Sequence, residues 1–299
     1  MDDVTTVYKA QFLEDDKYYS MFQTFKNHVN DKGPELLVEA ISKMNIKEKS
    51  LKWLSIGSGY GDAELKIIKK LSEKTTLTID LLECYERGND QFSHLSTIDF
   101  GKNVKNVQTL QEDFNANTQL LEESYDIITM FHVHYYWITA NDRAEIMKKV
   151  FGSLKPEGIL YILMLDKGSD NQIGLRRATK KKLKFEKLRG YDSITLYGSD
   201  VAIQEINPVA SAFPNIEIIK PYPHVITLDI DLDQAFKLKS DSSQLLSFLL
   251  QVDFDQLPME MQNFIRSWVE ENFMHVKDKQ YRMLQSCIGL MYKSVVLHK

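Results

Sequence analysis

Three glycines lie at alternate positions between an apolar run and a stretch with helical periodicity. They are Gly57, Gly59 and Gly61, within the string WLSIGSGYGDAEL at residues 53–65. Glycine permits a tight turn and carries no side chain. A ligand can therefore approach the main chain closely at these glycines and at Ser58 between them. We therefore predict a buried strand, a ligand-binding loop and a helix in succession. A plain connecting turn is the alternative.

The spacing of these glycines discriminates between ligands. The dinucleotide pattern G-x-G-x-x-G would need a glycine where Asp62 stands, and the phosphate-binding loop would need a lysine directly after Gly61. Asp62 and Glu64 would also repel a pyrophosphate at the start of the helix. The loop consequently favours a cationic or zwitterionic ligand.

A second candidate residue, Glu83, ends the apolar run TLTIDLLE. In a parallel sheet this end would lie beside the glycine loop, where a carboxylate can accept both hydroxyls of a ribose. A solvated glutamate at a strand end is the alternative. Together with the loop, Glu83 indicates a nucleoside ligand.

The order of predicted elements indicates an α/β fold. Apolar runs typical of strands alternate with segments of helical periodicity between residues 51 and 166. The predicted strands are residues 52–56, 76–83, 125–133 and 159–165, with a short strand and its loop at 106–114, and the helices between them include 62–74 and 142–154. This succession is typical of a doubly wound, mostly parallel sheet, so residues 51–166 are expected to form the ligand-binding core.

The segments on both sides of this core are expected to add helices. Residues 1–50 carry apolar positions at helical spacing and are predicted to form a helical lid that contributes to the substrate pocket. Residues 167–299 are predicted to supply pocket helices and closing strands. The elements predicted there are a strand at 216–230, helices at 244–254 and 259–274, and a last strand from residue 281. We expect all three segments to form one compact unit.

The composition argues against several classes of protein. A formal net charge of −5 over 299 residues gives no reason to expect nucleic acid or a membrane as a partner, and the basic stretch at 180–189 is typical of a solvated surface. Cys84 and Cys287 are too few for a disulfide framework. No apolar run of about eighteen residues and no secretory signal is apparent. We expect a cytoplasmic protein.

Several ordered motifs resemble those of class I S-adenosylmethionine-dependent methyltransferases. They are the GSGYG loop, Glu83, EDF at residues 112–114, YDIITM, and SLKPEG before the fifth strand. Many members carry an acidic residue two positions before the first glycine, where this chain has Ser55. The strings LSIGSGYGDAEL, KYYSMFQTFKNHVND and MFHVHYYW are similar to the histamine N-methyltransferase branch. The resemblance implies a Rossmann-like fold and S-adenosyl-L-methionine as cofactor, released as S-adenosyl-L-homocysteine.

The resemblance also implies where the cofactor and the methyl acceptor bind. Asp113 and Phe114 would flank the cofactor, and Phe131 would border its adenine. The residues implied to line an aromatic acceptor pocket are Tyr18, Phe22, Asp31, His132, Tyr136, Phe248, Gln285 and Ser286. Within that set, Asp31 would hold an ammonium group, and His132 would hydrogen-bond the acceptor nitrogen or take its proton.

Some of these positions differ from the histamine branch. Asp31 is one methylene shorter than the carboxylate used there, His132 replaces an amide, and Gln285 or Ser286 stands where another amide is expected. These changes alter both reach and hydrogen-bonding type. The expected acceptor is therefore a different small amine or imidazole compound.

His132 and His134 raise a metal-binding alternative. Two residues apart on a predicted strand, they would share one face, but no third ligand has a suitable spacing. We expect no metal, and direct in-line transfer of a methyl group to nitrogen by a monomeric enzyme. Two other functions remain open: a nicotinamide-dependent dehydrogenase, and a catalytically altered binding protein on a methyltransferase scaffold.

Overall fold

The computed structural model describes residues 15–43, 50–59, 61–83, 102–111, 114–134, 137, 139–166, 170–183, 199–250 and 252–296. Its helices are α1 (Asp15–His28), α2 (Gly33–Lys43), α3 (Asp62–Leu71), α4 (Ala140–Ser153), α5 (Asp170–Leu183), α6 (Ser199–Ser211), α7 (Leu232–Ala235), α8 (Asp241–Leu250) and α9 (Met259–Asn272). Its strands are β1 (Ser50–Ile56), β2 (Thr76–Glu83), β3 (Val104–Gln111), β4 (Tyr125–Phe131), β5 (Leu154–Leu165), β6 (Ile216–Asp231), β7 (Met274–Lys277) and β8 (Gln280–Ser294).

The described strands form a mostly parallel sheet in the order β3-β2-β1-β4-β5-β8-β6, with β7 also paired on β8. Strands β1 to β5 run parallel to one another, whereas β8 runs antiparallel to β5. The strand order reverses between β1 and β4, and open α/β sheets bind ligands at such a switch point. The expected Rossmann-like, doubly wound fold is confirmed.

Local sequence explains the central elements. The first six residues of β4 are all buried, so the strand is covered on both faces and its apolar residues need not alternate with polar ones. Helix α4 begins after Thr139, whose hydroxyl accepts a hydrogen bond from the Asp142 amide at 3.1 Å. This bond satisfies one of the amides that the first helical turn leaves without a partner.

Contacts divide the chain into two compact units. Unit 1 comprises Met1–Asp31, Asp166–Thr195 and Val225–Ser286, and unit 2 comprises Lys32–Leu165, Leu196–His224 and Cys287–Lys299. The change of unit at residue 166 coincides with the expected end of the core. Helix α2, expected in the N-terminal lid, belongs to unit 2 with the parallel strands. The lid and pocket roles of the flanking segments stay predictions.

Each unit has its own hydrophobic core. In unit 1, buried residues of α8 and α9 pack with β6 and β8 residues, and the aromatic rings of α1 lie against this cluster. In unit 2, residues of β1, β4 and β5 pack with α4 and α6. Leu54, Ile128 and Leu160, which are paired across β1, β4 and β5, belong to this second core and share one face of the sheet.

The predicted elements agree with the structure in type and order, but several ends differ. β5 begins at Leu154, five residues before its predicted start, and α8 ends at Leu250, four residues before its predicted end. The strand predicted to end at residue 133 ends at Phe131, because His132 adopts a left-handed backbone with φ 55° that an extended strand cannot continue through. The helix predicted to reach residue 274 ends at Asn272, and Met274 begins the short strand β7. All four residues of β7 are exposed, so no burial pattern marked it in the sequence.

Candidate functional site

The candidate cofactor residues meet at the carboxyl edge of the parallel strands. Ile56 at the end of β1 pairs with Leu82 in β2 and with Met130 in β4. The residues that follow these three are Gly57, Glu83 and Phe131, so their backbones are neighbours at one edge of the sheet. The side chains of Glu83 and Tyr18, and all of Asp113 and Tyr136, lie outside the described residues, so their roles stay predictions.

The three glycines of the loop all have left-handed backbones, with φ of 69° at Gly57, 56° at Gly59 and 73° at Gly61. Other residues adopt such angles rarely. A Cβ added at Gly57 would overlap the side chain of Val133, whereas one added at Gly59 would meet no atom of the described residues within 4 Å. Gly57 therefore accommodates the chain that follows β4, and the described residues leave space beside the Cα of Gly59.

Hydrogen bonds fold this loop back on itself. The Gly61 amide donates to the Ser58 carbonyl at 2.9 Å, and the Ser58 hydroxyl donates to the Ser55 carbonyl at 3.3 Å. Gly61 then accepts the first bond of α3, from the Leu65 amide at 2.8 Å. Ser58 thus shapes the loop, and its predicted contact with the cofactor stays a prediction.

A buried carboxylate lies next to the loop. The Ser55 hydroxyl donates to Glu64 Oε1 at 2.6 Å, and both residues are only 1% exposed. Position 55 is where many class I methyltransferases carry an acid. In this chain the carboxylate comes instead from the first turn of α3, where the helix dipole favours a negative charge.

His132 and Phe131 occupy the end of β4. The His132 amide donates to the Leu163 carbonyl of β5 at 2.8 Å, so the left-handed residue is held to the neighbouring strand. The half-buried ring of Phe131 packs edge-on against Tyr161, with ring centroids 6.1 Å apart. Both predicted site residues therefore lie beside the switch point of the sheet.

His134 is buried and neutral. Burial, followed by the nearby Arg143 charge, lowers the pKa of His134 to about 3. Because β4 ends before both histidines, the strand alternation that would place His132 and His134 on one face does not apply. Among the described residues, no group of three or more His, Cys, Asp or Glu side chains could hold a metal ion.

The predicted acceptor residues of unit 1 fall into an aromatic group and a polar group. Phe22 of α1 packs on the buried Phe248 of α8 with centroids 5.5 Å apart. Asp31, which follows α1, is half-buried. On β8, Gln285 is fully buried and its Oε1 has no hydrogen-bond partner among the described residues, whereas the carbonyl of half-buried Ser286 accepts from the Asp166 amide at 3.0 Å.

Comparison with known protein families decides the identity of the fold. A family model described as a methyltransferase domain matches residues 27–206, more than half of the chain. The chain belongs to the class I methyltransferases. It is an S-adenosylmethionine-dependent methyltransferase, and the dehydrogenase alternative is not favoured.

Solved structures share this methyltransferase's fold at low sequence identity. A proposed methyltransferase of Bacillus halodurans is 10% identical, with a TM-score of 0.54 over 87% of this chain and 99% of its own. A proposed sarcosine dimethylglycine methyltransferase of Galdieria sulphuraria is 13% identical, with a TM-score of 0.53 over 94% and 99%. The YcgJ protein of Bacillus subtilis is 13% identical, with a TM-score of 0.53 over 89% and 99%. At these identities the likeness extends to the fold alone.

No curated protein matches this methyltransferase significantly. Among its described helices, none combines the length and apolar character needed to cross a membrane.

The geometry of the loop fits S-adenosylmethionine. The described residues leave space beside the Cα of Gly59, and the loop contains no lysine to pair with a pyrophosphate. The carboxylate of Glu64 lies at the base of the loop, where negative charge favours a cationic sulfonium or ammonium over a phosphate. Gly57, Gly59 and Gly61 would hold the cofactor through the backbone, with Glu83 at the adjacent strand end.

Sequence reasoning missed the structural roles of Glu64 and Arg143. Each is a charged residue at the helical spacing of a buried apolar face. Glu64 precedes Ile67, Ile68 and Leu71 on α3, and Arg143 precedes Ile146, Met147 and Val150 on α4. A charge at such a position signals a buried polar partner, because an unpaired buried charge is strongly unfavourable.

Proposed function

We propose that this methyltransferase methylates a nitrogen of a small amine or imidazole compound, similar to histamine. The observation that carries the proposal is His132, held in a left-handed conformation at the carboxyl end of β4 beside the glycine loop. An imidazole at this edge suits nitrogen methylation, because it can accept a hydrogen bond or a proton from an attacking nitrogen.

Aromatic packing in unit 1 supports a planar or cationic acceptor. Phe248 lies against Phe22 at 5.5 Å and against Phe25 at 4.6 Å between ring centroids. Aromatic walls bind flat rings by stacking and amines by cation–π attraction. The buried Gln285 Oε1 adds an acceptor for an N–H group of the substrate.

The cofactor and two side chains, Asp31 and His132, carry out the proposed chemistry. Bound S-adenosylmethionine supplies an electrophilic methyl group, which the acceptor nitrogen takes by direct in-line displacement, leaving S-adenosylhomocysteine. Asp31 holds an ammonium group of the acceptor, while His132 orients the reacting nitrogen and takes its proton. Alignment of the two reactants is the main catalytic contribution and is worth about 7–11 kcal/mol in well-oriented systems.

The proposal extends to the setting of the reaction. We place the enzyme in the cytoplasm as a monomer that acts on a small molecule. The formal net charge of −5 supports a small acceptor over nucleic acid, because a polyanion would be repelled. The rate should rise with pH while the acceptor nitrogen loses its proton.

Methyl transfer from labelled cofactor tests the proposal directly. The protein is incubated with methyl-labelled S-adenosylmethionine and either a panel of amines and imidazoles, histamine included, or a metabolite extract. We expect mass spectrometry to find the label on the nitrogen of a small compound. Label only on protein or nucleic acid would contradict the proposal, and tight binding of S-adenosylhomocysteine without transfer would favour the binding-protein alternative.

Replacement of Asp31 tests the division between acceptor and cofactor sites. Asp31→Asn should raise the KM of the acceptor about tenfold, because the charge-assisted bond to its ammonium is lost. The affinity for S-adenosylhomocysteine should stay the same. Asp229→Asn is the matched control, since it removes the same charge from an exposed pair with Arg282 in the same unit. Equal loss of both affinities in Asp31→Asn would refute the division.

A further inference from the structure

Trp137 joins two chain segments that the sheet itself keeps apart. Its indole N–H donates to the Phe114 carbonyl at 2.7 Å, and the two rings pack edge-on with centroids 6.1 Å apart. Phe114 belongs to the β3 loop, residues 114–118, and Trp137 belongs to the β4 segment, residues 131–134 and 137. β2 and β1 separate β3 from β4, a distance of about 14 Å at the usual strand spacing.

Helix α4 anchors both segments. Arg143 Nη1 donates to the Trp137 carbonyl at 2.6 Å. The same guanidinium makes two further bonds, both of 2.7 Å, to the carboxylate of Glu205 on α6. Lys149, also on α4, donates to the carbonyls of Ala116 and Thr118 in the β3 loop. A two-pronged bond between guanidinium and carboxylate fixes orientation, so it sets the place of Trp137.

The β4 segment is fixed along its length. At its start, the His132 amide is bonded to β5, and the side chain of Val133 occupies the space beside Gly57. Further on, the buried His134 ring packs edge-on against Trp137 with centroids 5.5 Å apart. The segment therefore touches the glycine loop at one end and the β3 loop at the other.

We infer that Trp137 is a positioning residue that couples cofactor binding to the placement of His132. Both segments follow the carboxyl ends of strands, the edge at which open α/β sheets bind their ligands. A ligand that orders the β3 loop therefore also orders the β4 segment, through the indole hydrogen bond. The role assigned to His132 rests on the proposed function, whereas the coupling itself concerns the cofactor site alone.

Hydrogen exchange measured with S-adenosylhomocysteine tests the coupling without any methyl acceptor. In the unchanged protein, saturating S-adenosylhomocysteine should slow amide exchange in both the β3 loop and the β4 segment. In Trp137→Phe, which keeps an aromatic ring but removes the donor, we expect about tenfold weaker binding of S-adenosylhomocysteine. At saturation the β3 loop should still be protected, and the added protection of the β4 segment should fall about threefold or more.

Trp53→Phe is the matched control. Its indole N–H donates to the Thr129 hydroxyl at 2.9 Å inside the sheet, so this variant also loses one indole bond but leaves the two segments joined. We expect it to keep the coupled protection. Glu205→Gln weakens the ion pair that holds Arg143. We expect this variant to lose part of the protection of the β4 segment although Trp137 is still present.

Two results would overturn the inference. One is equal protection of the β4 segment in Trp137→Phe and in the unchanged protein at saturation. The other is the same loss in Trp53→Phe, which would show a general loosening of the fold. Because no acceptor takes part, a failure of amine methylation would leave this test unaffected.

Discussion

The hydroxyl of Ser55 and the carboxylate of Glu64 form a buried hydrogen bond of 2.6 Å that joins the end of strand β1 to the first turn of helix α3. The glycine loop lies between these two residues in the chain. The bond therefore links the two ends of the loop. An acid at position 55 and an acid at position 64 would be alternative sources of one carboxylate at this place.

Exchanging the two side chains tests this relationship. Ser55→Asp should lower the free energy of unfolding by about 2 kcal/mol or more, because two carboxylates would meet in a buried place. Adding Glu64→Ser to Ser55→Asp should recover much of that loss, since one carboxylate and one hydroxyl again face each other. Urea unfolding measures the stability, and calorimetric titration with S-adenosylhomocysteine measures the site. A double variant no more stable than Ser55→Asp alone would contradict the interpretation.

Alanine substitutions of Gly57 and Gly59 should have different effects on stability and on cofactor binding. Gly57→Ala should destabilise the protein by about 2 kcal/mol or more, because it combines a left-handed backbone with overlap on Val133. Gly59→Ala should cost only the backbone term, roughly 1–2 kcal/mol, yet weaken S-adenosylhomocysteine binding at least about tenfold. Thermal unfolding and calorimetric titration separate the two effects.

The close contact between Gly57 and Val133 provides a control for the prediction on the two glycines. Val133→Ala removes the methyl groups that an added Cβ would overlap, so it should partly restore the stability of Gly57→Ala. The same change should do nothing for Gly59→Ala. If Val133→Ala rescued both variants alike, the distinction between the two glycines would be wrong.

Burial of His134 should make stability depend on pH. The pKa of His134 is lowered to about 3 in the folded chain, below the ordinary value of about 6.5. Below pH ~6.5 His134 binds a proton in the unfolded chain but stays neutral in the folded chain. The free energy of unfolding is therefore highest above pH ~6.5 and falls as the pH is lowered towards 3. The loss is about 2 kcal/mol between pH 7 and 5. Urea unfolding at both pH values should give a smaller difference for His134→Gln, and an unchanged difference would refute the assignment.

A charge cluster at the opposite edge of the sheet should affect stability alone. Asp126 Oδ2, at the start of β4, accepts from the Lys52 amide and from Lys155 Nζ, both at 2.7 Å. Asp126→Asn should lower the free energy of unfolding by about 1 kcal/mol, because it weakens a partly buried charged pair in which Lys155 is 36% exposed. The affinity for S-adenosylhomocysteine should not change, as calorimetric titration can check. A larger effect on binding than on stability would show that the amino ends of the parallel strands influence the cofactor site.

The sequence predicted the α/β core closely because its elements carry strong local signals. β2 has the predicted bounds, 76–83, since an apolar, β-branched run is enclosed by polar residues. The glycine loop was equally visible, because left-handed turns require glycine. These features depend on residues close together in the chain, so composition and spacing suffice to find them.

The rest of the site depends on contacts between distant residues. Arg143 and Glu205 are 62 positions apart, and the partner of Gly57 is a valine that nothing in its own surroundings marks. The backbone turn at His132 was equally hidden, because histidine fits a strand and a left-handed turn alike. The predicted strand therefore ran two residues too far, and the two histidines were placed on one face.

The torsion at His132 also limits which residues can replace it. A left-handed backbone is tolerated by glycine, asparagine, aspartate and histidine, and is adverse to valine, isoleucine or threonine. Position 132 can consequently exchange one small polar group for another, but it cannot become a branched apolar wall without moving the chain. If His132 contacts the acceptor as we propose, its replacements can change the hydrogen bond offered to the acceptor more easily than the shape of the surrounding wall.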